Sequence, residues 1–299
     1  MLRTYGWKAI TATAYRAAYE KWGGSVITHP RVLDFIHRHK PGIPHEYLCS
    51  SGNPGTSTAI CRWGRWLAGD LPALNRYVQP ELDFGEPEVI LPQSPHAIKH
   101  YLWLRSRMLS ELNHGAVPNT HIVHKAKNFI AQVKPLNELS SKTRNTRSRK
   151  LKAWREAGGT VRPLKDFSPA ELARIYGELY RKRRGRTLRS EASLTAVYTD
   201  LGDMVFGHVL FMRNQPCAYQ LILRAESPRW ISYEYVNGGM DLAFSEWSPG
   251  SILLGVNTQL AWEECCKTGR KMRYSFGRNR GAYKQTWCKA LPVFQTVTL

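Results

Sequence analysis

The side chains whose types and spacing could do chemistry are concentrated between Trp247 and Trp287. Ser248-Pro249-Gly250-Ser251 opens an apolar run, and in that place a serine can cap exposed amides while a proline at the first helical position loses nothing by lacking its N–H. Such a helix start offers unpaired N–H groups and the positive end of a dipole, and Gly250 lets a ligand approach the backbone. One helix and one strand later, Gly277-Arg278-Asn279-Arg280-Gly281 sets two guanidinium groups on a turn, followed by Ala282-Tyr283-Lys284-Gln285-Thr286-Trp287. The chemistry this predicts is anion binding. The same residues also fit an ordinary helix start and a plain surface turn.

These groups need elements to hold them. Ile252, Leu253, Val256, Leu260 and Trp262 recur close to helical spacing, and Gly269 stands where a left-handed terminating residue belongs. A strand is predicted over 271–276. Ahead of it, strands at 204–212, 217–224 and 230–236 with short polar turns read as an antiparallel meander. Ser168-Pro169-Ala170-Glu171 is a capping box, Leu172, Ile175, Tyr176 and Leu179 give its helix a buried stripe, and the basic run from Arg181 to Arg186 forms its end. A helical stretch over 191–201, a strand over 160–164 and a last strand over 293–299 complete this half.

With 299 residues and 42% hydrophobic content the chain is a folded protein of one large or two smaller domains. A formal charge of +20 draws it to polyanions: nucleic acid, an anionic membrane surface or a phosphate-rich substrate. Much of that charge is local. Residues 142–189 hold 16 Lys or Arg against 4 Asp or Glu, a net +12, and the stretch from Ser141 to Trp154 reads as a basic helix ended by Gly158-Gly159. Placed at a join between two halves, it would line a cleft and meet phosphates, or simply be a solvated face. No helix-turn-helix or finger pattern presents a recognition helix, so DNA is a poor fit.

In the first half a helix is predicted over 7–22, carrying Trp7, Ile10, Tyr15, Ala18 and Trp22, and a second over 28–40. Residues 46–50 and 59–67 read as a hairpin around the turn-rich loop 51–58, with short strands at 88–91 and 120–125 and a helix over 96–113. The histidine pairs 37/39, 96/100 and 121/124 do not make a metal site, since a spacing of three on a strand sets side chains on opposite faces and no second ligand pair follows. Six cysteines without a CxxC read as reduced thiols. The start lacks a signal peptide's apolar segment, and no run approaches a membrane-spanning length.

The serine-proline-glycine helix start, the strand one helix later, and Phe276-Gly277-Arg278 with Tyr283-Lys284-x-x-Trp287 resemble the closing half of the Fem-like branch of the GNAT acyltransferase superfamily. From Tyr5-Gly6-Trp7-Lys8 through 28–36 to the last strand, the chain also resembles the macrophage-inducible bacterial virulence proteins linked to antimicrobial-peptide resistance. The resemblance implies an α/β (α+β) fold of tandem GNAT-like architecture, with mixed central sheets flanked by helices. Residues 1–140 would be a diverged, degenerate N-terminal half and 141–299 the GNAT-like domain. It further implies a cytoplasmic protein at the inner-membrane periphery that protects against cationic peptides. Carried onto this sequence, Ser248, Gly250 and Ser251 hold the donor's phosphate, Tyr283 protonates the leaving group, Glu234 serves as base or relay, and Arg278 or Lys284 steadies an anion. The donor is acyl-CoA or aminoacyl-tRNA, and no metal is called for. Trp247 stands where the superfamily's phosphate loop has Gln or Arg, and Ile252 where it has a small residue, which departs from the coenzyme A pattern. The basic join suits tRNA.

Two classes of function follow. One is acyl or aminoacyl transfer to an amine. The other is a non-catalytic scaffold that docks on an anionic membrane or a partner protein, with a nucleic-acid-binding regulator behind both.

Overall fold

A computed structural model describes residues 6–50 and 55–297. The first half runs β1 (Trp7–Ile10), α1 (Ala12–Trp22), α2 (Pro30–His39), β2 (His45–Ser50), β3 (Ala59–Trp63), β4 (Trp66–Leu67), α3 (Leu71–Tyr77), β5 (Leu109–Ser110), α4 (Glu111–His114), β6 (Thr120–Ile122) and β7 (Ile130–Val133). The second runs α5 (Ser141–Glu156), β8 (Gly159–Pro163), α6 (Pro169–Arg184), α7 (Leu194–Asp200), β9 (His208–Met212), β10 (Gln215–Glu226), β11 (Trp230–Met240), α8 (Pro249–Thr268), β12 (Lys271–Arg278), α9 (Ala282–Trp287), β13 (Cys288–Leu291) and β14 (Val293–Thr296). This is the mixed α/β architecture the sequence implies.

Three sheets result. A seven-stranded sheet has the order β13-β7-β12-β11-β10-β9-β8, a four-stranded one β1-β2-β3-β4, and a three-stranded one β5-β14-β6. The halves exchange strands: β7 lies between β12 and β13, while β14 returns to pair with β5 and β6. Alternation along the strands assigns the faces of the large sheet. Val209, Phe211, Tyr219 and Leu221 pack against α6 and α7, and Leu223 and Ala225 join the core of the first half. Leu210, Met212 and Ala218 face the other way, against Trp154 of α5 and Ile252 and Leu253 of α8. Gly239 has no Cβ because one would stand 2.5 Å from the backbone of Leu179 and Tyr180, so α6 lies directly on β11. The halves are also pinned at Gly24, whose carbonyl accepts from Trp230 Nε1 at 3.0 Å and from the Ser227 and Ser232 hydroxyls.

The helix start at Ser168 forms as the sequence predicts, with both capping-box hydrogen bonds present and Gly185 closing α6 in the left-handed region. Leu172, Ile175, Tyr176 and Leu179 are all buried. Three expectations change. Residues 7–22 are not one helix, because Trp7–Ile10 pairs with β2 and Thr11 Oγ1 then accepts from Ala14 N–H to start α1. Residues 96–113 are largely irregular, with strand only at Leu109–Ser110 and a short helix from Glu111: Asp70 takes the Ser106 hydroxyl and the Arg107 and Met108 amides, Asn119 takes Leu102 N–H, and Ile98 and Leu112 of the expected stripe are exposed. Residues 88–91 contribute only a bridge, Val89 to Leu109. The basic helix α5 packs on β8 and α8, with Trp154 buried against Ile252 and Leu253 and Arg147 over the Trp287 ring at 3.6 Å.

The expected last strand pairs with the first half and is described only to Thr296 as strand; part of the 51–58 loop, the first five residues and the last two lie outside the described residues. His124 lies beyond the end of β6, and its ring stands 6.0 Å from His121 rather than across the sheet. No described helix is long and apolar enough to cross a membrane.

Candidate functional site

β11 and β12 run side by side and parallel from Trp230 opposite Lys271 to Glu234 opposite Ser275, and there the pairing stops. Each strand then follows a different neighbour. β11 stays on β10 as far as Met240, with Val236 as an extra residue between Tyr235 and Asn237, a bulge that increases local twist. β12 turns onto β7, with Ser275 opposite Gln132 and Arg278 opposite Ile130. The result is a fork in the sheet. α8 runs back from the far end of β11 on the face of the sheet opposite Glu234, with Gln220 Nε2 donating to Gly250 O at 3.4 Å, and α9 follows the end of β12.

Glu234 is the last residue of the parallel run and is 4% exposed. The Ser275 hydroxyl donates to its Oε1 at 3.0 Å. Burial, reinforced by the Glu88 and Glu86 carboxylates, holds its pKa well above the usual range against the opposing effects of Ser275 and Lys284. The shift favours its protonated form. The base expected from the sequence has to be reached by deprotonation.

Tyr283 is half exposed, and partial burial pushes its phenol up to about 12, with Arg183 and Arg184 pulling the other way. It is a protonated donor at neutral pH. Arg183 Nη1 donates to Gly238 O at 2.9 Å and Lys182 Nζ to Asp241 Oδ2 at 2.6 Å, so the basic end of α6 is clamped to the far end of β11. These cations complete the mouth of the fork. The sequence showed the run but not its target, because a charged helix end carries no periodic signal of what it reaches.

The first turn of α8 is less open than the sequence suggests. Ser248 takes φ 54° and ψ 52° and its side chain makes no capping hydrogen bond. Its carbonyl accepts Ser251 N–H at 2.9 Å and Ile252 N–H at 3.2 Å, and Pro249 has none, which leaves Gly250 N–H as the free amide of the turn among the described residues. A Cβ on Gly250 would meet only Met240 Sδ, at 3.5 Å, so crowding does not demand a glycine. One amide is a poor cradle for a diphosphate. The departure at Trp247 and Ile252 has this structural counterpart.

Lys284 and Arg278 also differ from expectation. Lys284 is 8% exposed, and its Nζ donates to the carbonyls of Phe276 and Arg278. Burial lowers its pKa. It fastens α9 to the end of β12 and is not presented to a ligand. Arg278 reaches Asn128 Oδ1 at 3.4 Å, and its Nε is buried without a hydrogen-bond partner. Beneath the fork, Arg273 makes two 2.8 Å bonds to the buried carboxylate of Glu88. Gln132, beside Ser275 on the same face, has neither amide atom paired. Sequence reasoning missed Gln132, since a four-residue strand inserted into the other half's sheet leaves no local signal. Two open hollows lie elsewhere: about 530 Å³ beside Arg224 and Glu264, and about 580 Å³ along Lys142, Asn145, Ser148 and Arg149 of α5.

Residues 29–296 match the family profile described as Mig-14. The chain belongs to the Mig-14 family. It is thus one of the macrophage-inducible virulence proteins that its sequence resembles. No curated protein matches it. Among solved structures, a conserved protein of unknown function from Bacteroides thetaiotaomicron is similar at a TM-score of 0.52 and 10% identity, over 97% of this chain and 98% of that one. FemX is similar at 0.51 and 10% identity, over 92% and 89%. L-PGS from Bacillus licheniformis is similar at 0.50 and 11% identity, over 97% and 93%. At such identities the likeness is one of fold, and the fold of this Mig-14 family member is Fem-like and of the GNAT type.

Proposed function

We propose that this protein transfers an aminoacyl or acyl group to an amine, with aminoacyl-tRNA as the favoured donor, and that through this reaction it confers resistance to cationic antimicrobial peptides. The reading rests on the fork between β11 and β12, with Glu234 buried at its root and Tyr283 and the basic end of α6 near the far part of β11. The single free amide of the first turn of α8 favours an aminoacyl ester over coenzyme A, whose diphosphate wants several amides. The basic surfaces of α5 and α6 suit the backbone of tRNA. Likeness in fold to FemX and L-PGS supports a transferase of this kind.

In the reaction, the amine nitrogen bonds to the acyl carbon and the bond from that carbon to the donor's oxygen breaks. Tyr283 gives its proton to the departing oxygen. The proton shed by the attacking amine passes to Glu234 once that group is ionised, so the rate rises with pH toward Glu234's raised pKa. The protein works on the cytoplasmic side, at the periphery of the inner membrane. The test is a thermal-shift titration with charged tRNA, deacylated tRNA, coenzyme A and acetyl-CoA. A ligand of the native state at a hundredfold excess over its Kd adds about 2.7 kcal/mol. Charged tRNA should stabilise the protein beyond deacylated tRNA, and Gly250→Trp, which sets an indole at the first turn of α8, should remove the difference. If no donor raises the melting point, or the Gly250 variant responds like the parent, the transferase reading fails and a binding scaffold takes its place.

A further inference from the structure

Two guanidinium groups at the end of β12 converge on one carboxylate without bonding to it. Arg278 Nε and Arg280 Nη1 each stand 3.8 Å from Glu86 Oε1. The contrast with the neighbouring pair is informative: Arg273 and Glu88, in the same seam, sit at 2.8 Å through both carboxylate oxygens. An internal counter-ion placed to satisfy Arg278 would be at that distance. Arg278 Nε has no hydrogen bond, as Arg273 Nε has none, but Arg278 lacks the close carboxylate that Arg273 has, and Asp70 and a third guanidinium, Arg107, act on its charge in opposite directions. The Glu86 backbone is fixed, since its carbonyl would lie 3.1 Å from a Cβ on Gly277. Its side chain is a third exposed, so it can swing to solvent while the backbone stays in place.

We infer that Arg278 and Arg280 form a binding site for the phosphate group of a substrate, in which the Glu86 carboxylate stands as the protein's own occupant until it is displaced. A phosphate offers more acceptor oxygens than a carboxylate and takes arginine forks at hydrogen-bond distance. The site lies on the strand that forms one arm of the fork, so it would hold the anionic part of an acceptor beside the reacting groups. That purpose rests on the transferase reading, whereas the binding itself does not.

The experiment is calorimetric titration at fixed ionic strength with inorganic phosphate, dimethyl phosphate and acetate. Glu86→Gln should tighten inorganic phosphate about threefold or more, the scale of one exposed ion pair. Adding Arg280→Gln, at a half-exposed position where folding is not at stake, should return the affinity to the parent value or below. Arg278→Gln should do the same. Dimethyl phosphate binding in step with inorganic phosphate marks a diester ligand, its failure to bind a monoester, and acetate should be weakest. If Glu86→Gln binds phosphate no tighter than the parent, or the Glu86→Gln/Arg280→Gln protein binds as tightly as Glu86→Gln alone, the phosphate is held elsewhere on the basic surface and the site is refuted. Donor titrations on the same proteins keep the readings apart, since a Glu86 variant that tightens phosphate while no donor binds would retain this site and remove the transferase.

Discussion

Replacing Glu234 by Gln isolates one proton. A glutamine keeps the oxygen that accepts from the Ser275 hydroxyl and nearly the same volume, so packing at the end of the parallel run is conserved. What it removes is titration. Burial raises Glu234 above the unfolded value, so the folded state keeps a proton that the unfolded state releases. The stability this group contributes is complete below the unfolded pKa and is lost as pH rises through the window up to the folded value. Within that window one extra bound proton corresponds to about 1.4 kcal/mol per pH unit. For a chain of this size that is about 2 °C in melting temperature per pH unit. Melting curves of parent and Glu234→Gln should diverge as pH rises above the unfolded carboxylate range, with the variant gaining on the parent. A difference between the two that stays constant with pH would show that Glu234 titrates normally, and the account of the fork as the seat of a neutral acid would be wrong. The same variant should lose transfer activity if Glu234 takes the amine's proton.

Further outcomes follow from the seam between the halves and from the sheet. Glu88→Ala strips the buried Arg273 of its bidentate partner, leaving Glu111 at 4.0 Å, and should destabilise by about 3 kcal/mol, or about 5 °C, in thermal melts. A combined Glu88→Leu/Arg273→Met protein should recover much of that loss, because it leaves no unpaired charge. Gly239→Ala drives a methyl into the backbone of α6, which cannot give way as a side-chain tip could, and should cost more than about 3 kcal/mol in urea unfolding. Gly185→Ala, at the open left-handed end of the same helix, should cost only about 1 kcal/mol, so that the ratio of the two separates crowding from backbone strain.

Much of the second half is written locally. Ser168, Pro169 and Glu171 specify a helix start through groups within three residues of each other, and the alternation of β9 to β11 names the two faces of its sheet before any partner is known. At the fork, the strand that carries Glu234 and the short helix that carries Tyr283 were legible as elements. What the sequence could not decide was anything that depends on a partner far along the chain. The segment over 96–113 has a helical stripe, yet Asp70 and Asn119 bond its Leu102, Arg107 and Met108 amides from outside, and most of it is irregular. Ser248 carries the right side chain for a cap, but the turn after β11 drives it to a positive φ and its carbonyl consumes the amides that a ligand would need. Lys284 reads as a free cation and is spent on two carbonyls of β12. Composition and periodicity determined the basic character and most helices of the second half, and the resemblance to Fem-like proteins implied the fold class. Which strands pair, which charges are buried and which amides stay open were decided only in three dimensions, because those free energies come from neighbours that sequence distance does not reveal.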